Sequence, residues 1–162
     1  MANKKKRGKD YSGLVTAFTS FIVLSLVVTA VSLYFVFDKK LIGFLFIGLG
    51  FVAWLILGFF KIEFVSVYPD IIFGAIDNGV LILAAILGGA YAGVFGAVIG
   101  GAAGNTVTDG LGGLFEGYIA ENQRAVKIDN LRTPLSTMLG KMVGCLWGAG
   151  IGLVIVWLIS FI

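Results

Sequence analysis

Residues 74–117 read GAIDNGVLILAAILGGAYAGVFGAVIGGAAGNTVTDGLGGLFEG. Two polar clusters stand in this stretch, Asp77-Asn78 and Asn105-Thr106-Val107-Thr108-Asp109. Between them, from Gly79 to Gly104, there is no charged residue. Such a run is expected to lie in a membrane, where a carboxylate costs roughly 2.5–3.5 kcal/mol on insertion scales. Two carboxylates there, each near an asparagine, call for a reason beyond packing.

The rest of the chain agrees. Of 162 residues, 59% are hydrophobic and only 13% charged, which excludes an ordinary soluble domain. The apolar runs are long enough for a hydrocarbon core about 30 Å thick, which takes roughly 20 helical residues. The net charge of +3 invites a nucleic-acid reading, but its distribution does not support one. Lys4, Lys5, Lys6, Arg7 and Lys9 precede the first apolar run and read as a membrane-orienting tail. Cys145 is the single cysteine, so no disulfide forms within the chain, and no histidine is present to act as base or zinc ligand.

In chain order, residues 1–13 form a basic cytoplasmic tail and residues 14–37 a first apolar run. Small residues at Thr29-Ala30-Val31-Ser32 resemble a signal-cleavage site, but the run is too long for a signal core. An uncleaved span is expected, turning at Asp38-Lys39-Lys40 into a second span over 41–60. Residues 14–60 thus read as a transmembrane hairpin without buried charge, an anchor or a dimer wall. A linker over 61–69 leads through Pro69 into a polar-site domain, residues 70–162. Its spans are expected over 70–87, with a turn at Gly88-Gly89, then 91–120, and 135–162 after Pro134.

Charge orients the spans. With the N-terminus inside, the inner segments hold Lys4, Lys5, Lys6, Arg7, Lys9, Lys61, Arg124, Lys127 and Arg132, and the outer ones only Lys39 and Lys40. The fold class expected is therefore an all-α integral membrane protein of about five transmembrane helices, N-in and C-out, in the plasma membrane. A four-span arrangement with one re-entrant segment is the alternative. Glycines recur every fourth residue at Gly140, Gly144, Gly148 and Gly152, and again at Gly96, Gly100 and Gly104. That spacing marks close helix packing, within the protomer or between protomers.

Four ionisable residues fall at membrane depth: Asp77, Asp109, Glu116 and Lys141. Asn105 and Asp109 share a helix face as an i,i+4 pair, with Thr108 beside them and Asn78 next to Asp77. Three carboxylates against one lysine leave a surplus that protons or cations must neutralise. Carboxylate, amide and hydroxyl oxygens are hard ligands and select sodium, calcium, magnesium or manganese. The expected metal ligands are Asp77, Asn78, Asn105 and Asp109, with Thr108 and Glu116 as further ligands. Lys141 is expected to face Asp77 or Asp109 as a countercharge when the cation is absent. The bland readings are a structural Asp77–Lys141 pair, a protonated Asp109 bonding between helices, and a snorkelling Glu116.

Three motifs carry a family resemblance: Gly74-Ala75-Ile76-Asp77-Asn78, then Gly104-Asn105-Thr106-Val107-Thr108-Asp109, then Leu139-Gly140-Lys141-Met142-Val143-Gly144. With Gly117-Tyr118 and Ser136-Thr137, their order and spacing resemble the transmembrane protein 65 family over about residues 70–155. The resemblance implies a membrane protein linked to sodium-dependent calcium efflux, with Asp77, Asn78, Asn105, Asp109 and Lys141 carried over. The departures are the uncharged stretch 84–89, Met138 in place of a histidine, and Glu116, where Glu121 is the nearer match to the family glutamate. The functional expectation is a small cation transporter or exchanger, an antiporter for calcium or sodium, acting as a homodimer. No resident cofactor is expected. A non-transporting scaffold or regulator is the alternative. A lipid enzyme is not expected: Asn105-Thr106 and Asp109-Gly110 hold only fragments of such motifs, without the further aspartates, arginine or phosphate loop they need.

Overall fold

A computed structural model describes residues 12–38, 40–125 and 132–160. The basic tail up to residue 11, Lys39, Lys127 and residues 161–162 lie outside them. Among the described residues all regular structure is helical: α1 (Ser12–Phe35), α2 (Leu41–Phe59), α3 (Phe64–Ala125) and α4 (Pro134–Ile159). All four are long and apolar enough to cross a membrane by length and composition. Their outward surfaces carry Phe18, Leu26, Leu55, Phe95, Leu114 and many other large apolar side chains, the expected skin of a chain solvated by lipid.

The α3 helix has 62 residues but is not straight. At Ala92 and Gly93 the backbone leaves helical geometry, with Gly93 at φ 61° and ψ −146°. Beyond that break the chain doubles back. A Cβ at Gly96 would strike the Gly88 carbonyl, and one at Gly100 the Ala84 carbonyl. Residues 64–91 and 94–125 are therefore the antiparallel arms of one hairpin, with the Gly96 ladder as the seam. The turn expected at Gly88-Gly89 lies four residues further on. Those two glycines stay helical and serve the seam, whereas the reversal needs a positive φ, which Gly93 supplies without a Cβ clash.

The first arm also begins earlier than Pro69 suggested. Residues 64–68 are helical because Val67 and Ser66 are buried, Val67 against Gly140 of α4. Tertiary packing thus extends the helix past a proline in its second turn, at the cost of one backbone bond. The start of α4 matches expectation. Pro134 occupies the first turn, and Thr133 and Ser136 form a reciprocal capping box.

α4 is the central helix, the most buried of the four, whereas α1 has Ala17 as its single buried residue among those described. Its glycine ladder meets the first arm of α3, Gly144 against the Ile71 carbonyl and Gly148 against that of Ala75. The register advances in the same direction on both helices, so they run parallel. On its other side α4 takes α2, where Gly43 meets Gly150 and Val154, while Gly50 meets Trp147. That register runs backwards, so α2 and α4 are antiparallel. The ladder expected at a close-contact face is thus consumed within the chain. The core comprises Ala53, Leu57, Val67, Ile71, Leu139, Val143 and Leu146, with Trp54 stacked on Trp147 at 5.5 Å. α2 leans on α4 far more than on α1, so residues 14–60 are less a self-contained hairpin than a clasp around α4.

Candidate functional site

The hairpin brings the polar clusters of the sequence to one level. Asp77 on the first arm faces Thr108 on the second, and the Thr108 hydroxyl donates to Asp77 Oδ1. The same hydroxyl lies 3.1 Å from the carbonyl oxygens of Gly104 and Asn105. It has one proton to give, and the charged acceptor makes the stronger bond. Thr108 is buried at 2% exposure, so this contact is sealed between the arms.

The neighbouring residues divide around it. Asn78 donates from Nδ2 to the Cys145 carbonyl of α4 at 3.2 Å, tying the first arm to the central helix. Asn78 and Cys145 also line a crevice of about 280 Å³ with Ser25 and Thr29 of α1. On the second arm, Asn105 donates to Asp109 Oδ2 at 2.8 Å, the i,i+4 pair read from the sequence. Asp109 is exposed on the outer side of the hairpin, whereas Asp77 is half-buried within it. Four of the expected ligands therefore form two adjacent pairs, Asp77–Thr108 inside and Asn105–Asp109 outside. Among the described residues, no group of three or more His, Cys, Asp or Glu side chains is placed to hold a metal ion within one chain.

A second polar level lies two turns nearer the loop that joins α3 to α4. Asp70 stands two turns before Asp77, and Glu116 two turns beyond Asp109. Here each carboxylate has a cation. Arg132 Nη2 donates to both oxygens of Asp70, at 2.7 and 2.9 Å, and Asp70 is 1% exposed. Lys141 Nζ lies 2.6 Å from Glu116 Oε1, an ion pair in which that carboxylate oxygen is itself buried. The expected countercharge is thus displaced: Lys141 pairs with Glu116 rather than with Asp77 or Asp109. Its stem reaches back toward the loop, where an ammonium stays nearer water.

Between the two levels lies Phe73. Its ring rests on Gly112, where a Cβ would collide with it, and sits 5.2 Å from the Lys141 ammonium. An apolar cleft of about 250 Å³ runs from Phe73 to Thr108, lined also by Ile76, Leu111 and Phe115.

Sequence reasoning missed Asp70, Arg132 and Phe73. Asp70 had a signal, since it repeats Asp77 at two turns and so shares its face. Arg132 had none, because its partner is remote in the chain and only the fold joins them. Phe73 is one of 14 phenylalanines and only its seat on Gly112 distinguishes it. Comparisons with protein-family models, with curated proteins and with solved structures return no match.

Proposed function

We propose that this chain is a small integral membrane cation transporter or exchanger for calcium or sodium, with Asp77 and Asp109 as its central ligands. One observation carries the reading. Of the five carboxylates on the hairpin, Glu121 is exposed near the end of the second arm, and Asp70 and Glu116 near the loop have basic partners. Asp77 and Asp109 have none among the described residues and are bonded only to neutral hydroxyl and amide groups. Carboxylates left so at membrane depth take up protons or a cation, because the uncompensated charge costs several kcal/mol. Oxygen donors alone favour a hard ion. Exchange follows, since a second cation or protons must replace the first before the empty site faces a low-dielectric barrier.

The finer topology belongs to the same proposal. The two halves of α3 count as separate spans, giving five, N-in and C-out, in the plasma membrane. The alternating directions of α2, the two arms and α4 support that count. Two copies about a membrane-normal axis make a homodimer. With the α4 ladder used internally, the pairing surface shifts to the exposed Thr106–Asp109–Gly113–Gly117 face of the second arm. The likeness to the transmembrane protein 65 family points the same way.

The scaffold reading keeps one argument: the Asn78–Cys145 and Thr108–Asp77 bonds also act as glue between helices. Thermal stabilisation of the purified protein separates the two. Calcium or sodium should raise its melting temperature in a saturable manner, and the Asp77→Asn, Asp109→Asn double variant should lose the effect. An equal shift in the double variant would favour the scaffold.

A further inference from the structure

We propose that the crevice between α1 and the first arm of α3 is a second cation position, for a monovalent ion of sodium's class, with Ser25, Thr29 and Asn78 as its oxygen ligands. This position rests on the cation reading above and gives the second ion of an exchange a place of its own.

α1 packs on α4 and α2 rather than on α3, which leaves the crevice of about 280 Å³ beside Asn78. Most of its wall is apolar, Phe46 and Leu146 included, and its polar edge comes from Ser25, Thr29 and Asn78. Ser25 and Thr29 stand at i and i+4 near the middle of α1 and so share a face. A hydroxyl inside a membrane span ordinarily donates to the carbonyl four residues back, because lipid offers no acceptor. Thr16 and Ser32 of the same helix do so, at 3.0 and 2.7 Å. Ser25 and Thr29 make no hydrogen bond among the described residues. Asn78 uses Nδ2 on the Cys145 carbonyl at 3.2 Å, which leaves its amide oxygen as an acceptor. Three neutral oxygens thus border one void at mid-membrane, engaged by no protein group. Left so in hydrocarbon they are costly, and an occupant that takes all three at once relieves the cost.

Charge selects the occupant. Among the described residues no carboxylate lines the crevice, and a divalent ion draws carboxylates into its shell. A monovalent hard ion is held by hydroxyl and amide dipoles, and the remaining room takes the water that completes its shell. The apolar wall keeps those dipoles effective by holding the local dielectric low. The charges of Asp77 and Lys141 both act on Cys145, so the crevice adjoins the carboxylate without containing it. Asp77 and Asn78 are consecutive, one bonded to Thr108 and the other bordering the crevice. Ions at the two positions therefore act on the same helical turn.

Cys145 borders the crevice and is the single thiol, so the parent chain carries its own probe. Its labelling by a small methanethiosulfonate is timed in mild detergent, in sodium or in choline at equal ionic strength. Saturating sodium should slow labelling at least about fivefold, and choline should not. Ser25→Ala combined with Thr29→Val removes both oxygens at nearly constant shape. That variant should raise the half-effective sodium concentration at least about tenfold. Thr29→Ser, which keeps the oxygen, should stay near the parent. If the combined variant does not fold, Ser25→Ala alone should move the concentration in the same direction. Parent-like protection in the folded variants would overturn the site and leave the crevice to water, as would a parent whose Cys145 ignores sodium. A parent whose melting temperature follows calcium or sodium while Cys145 goes unprotected sinks this site and leaves the cation reading standing. Protection that needs Ser25 and Thr29, with an Asp77→Asn, Asp109→Asn variant that responds to ions like the parent, does the reverse.

Discussion

Thr108 shows how one residue decides the character of the site. It is the only buried polar side chain at the level of Asp77, and its hydroxyl is the only hydrogen-bond donor to that carboxylate among the described residues. Thr108→Val keeps the shape and removes the donor, leaving a desolvated acceptor unsatisfied. We expect a stability loss of about 1–3 kcal/mol in denaturant unfolding of the purified protein, largely restored by Thr108→Ser. A variant as stable as the parent would show that water already serves Asp77. At this scale much was legible in advance. Asp77, Asn78, Asn105, Thr108 and Asp109 stand out as polar residues in an apolar run, and the Asn105–Asp109 bond follows from helical spacing alone. Partners across the chain were not legible. Lys141 could be placed at membrane depth but not assigned to Glu116, since that choice depends on how far its stem reaches toward the loop.

At the scale of elements, glycine sets the architecture. The i,i+4 ladders announced tight seams, but spacing cannot say which helix fills them. The fold assigns Gly96–Gly104 to the hairpin and Gly140–Gly152 to the first arm of α3. Gly148→Leu should therefore prise α4 from that arm. Because the neighbour is the Ala75 backbone, which cannot swing aside, we expect a loss of about 3 kcal/mol or failure to fold in unfolding assays. Gly148→Leu behaving like the parent would contradict the seam. Gly93→Ala tests the hairpin turn separately. The added Cβ meets nothing within 4 Å, so its cost comes from the backbone conformation and should be about 1–3 kcal/mol. The turn was expected at Gly88-Gly89 because a glycine pair is the stronger local signal. Long-range packing claimed that pair, and a single glycine at positive φ made the reversal instead.

For the whole molecule, composition and hydropathy made a membrane-spanning helical protein legible. The extent of each span was less so, because packing on α4 draws residues 64–68 into α3. A parallel homodimer should appear as a doubled mass in mild detergent, and a cysteine introduced at Gly113 should crosslink to its copy. Monomer across a wide concentration range would remove that part of the account. The central claim is that Asp77 and Asp109 carry a cation across the membrane, and one measurement addresses it most directly. Calcium and sodium flux into proteoliposomes is compared for the parent chain, Asp77→Asn and Asp109→Asn. Asparagine preserves the side-chain shape and removes the charge, so the variants should fold and reconstitute while flux falls at least about a hundredfold, the effect of losing roughly 3 kcal/mol of ion stabilisation. Folded, reconstituted variants that transport like the parent would make both carboxylates structural and contradict the account.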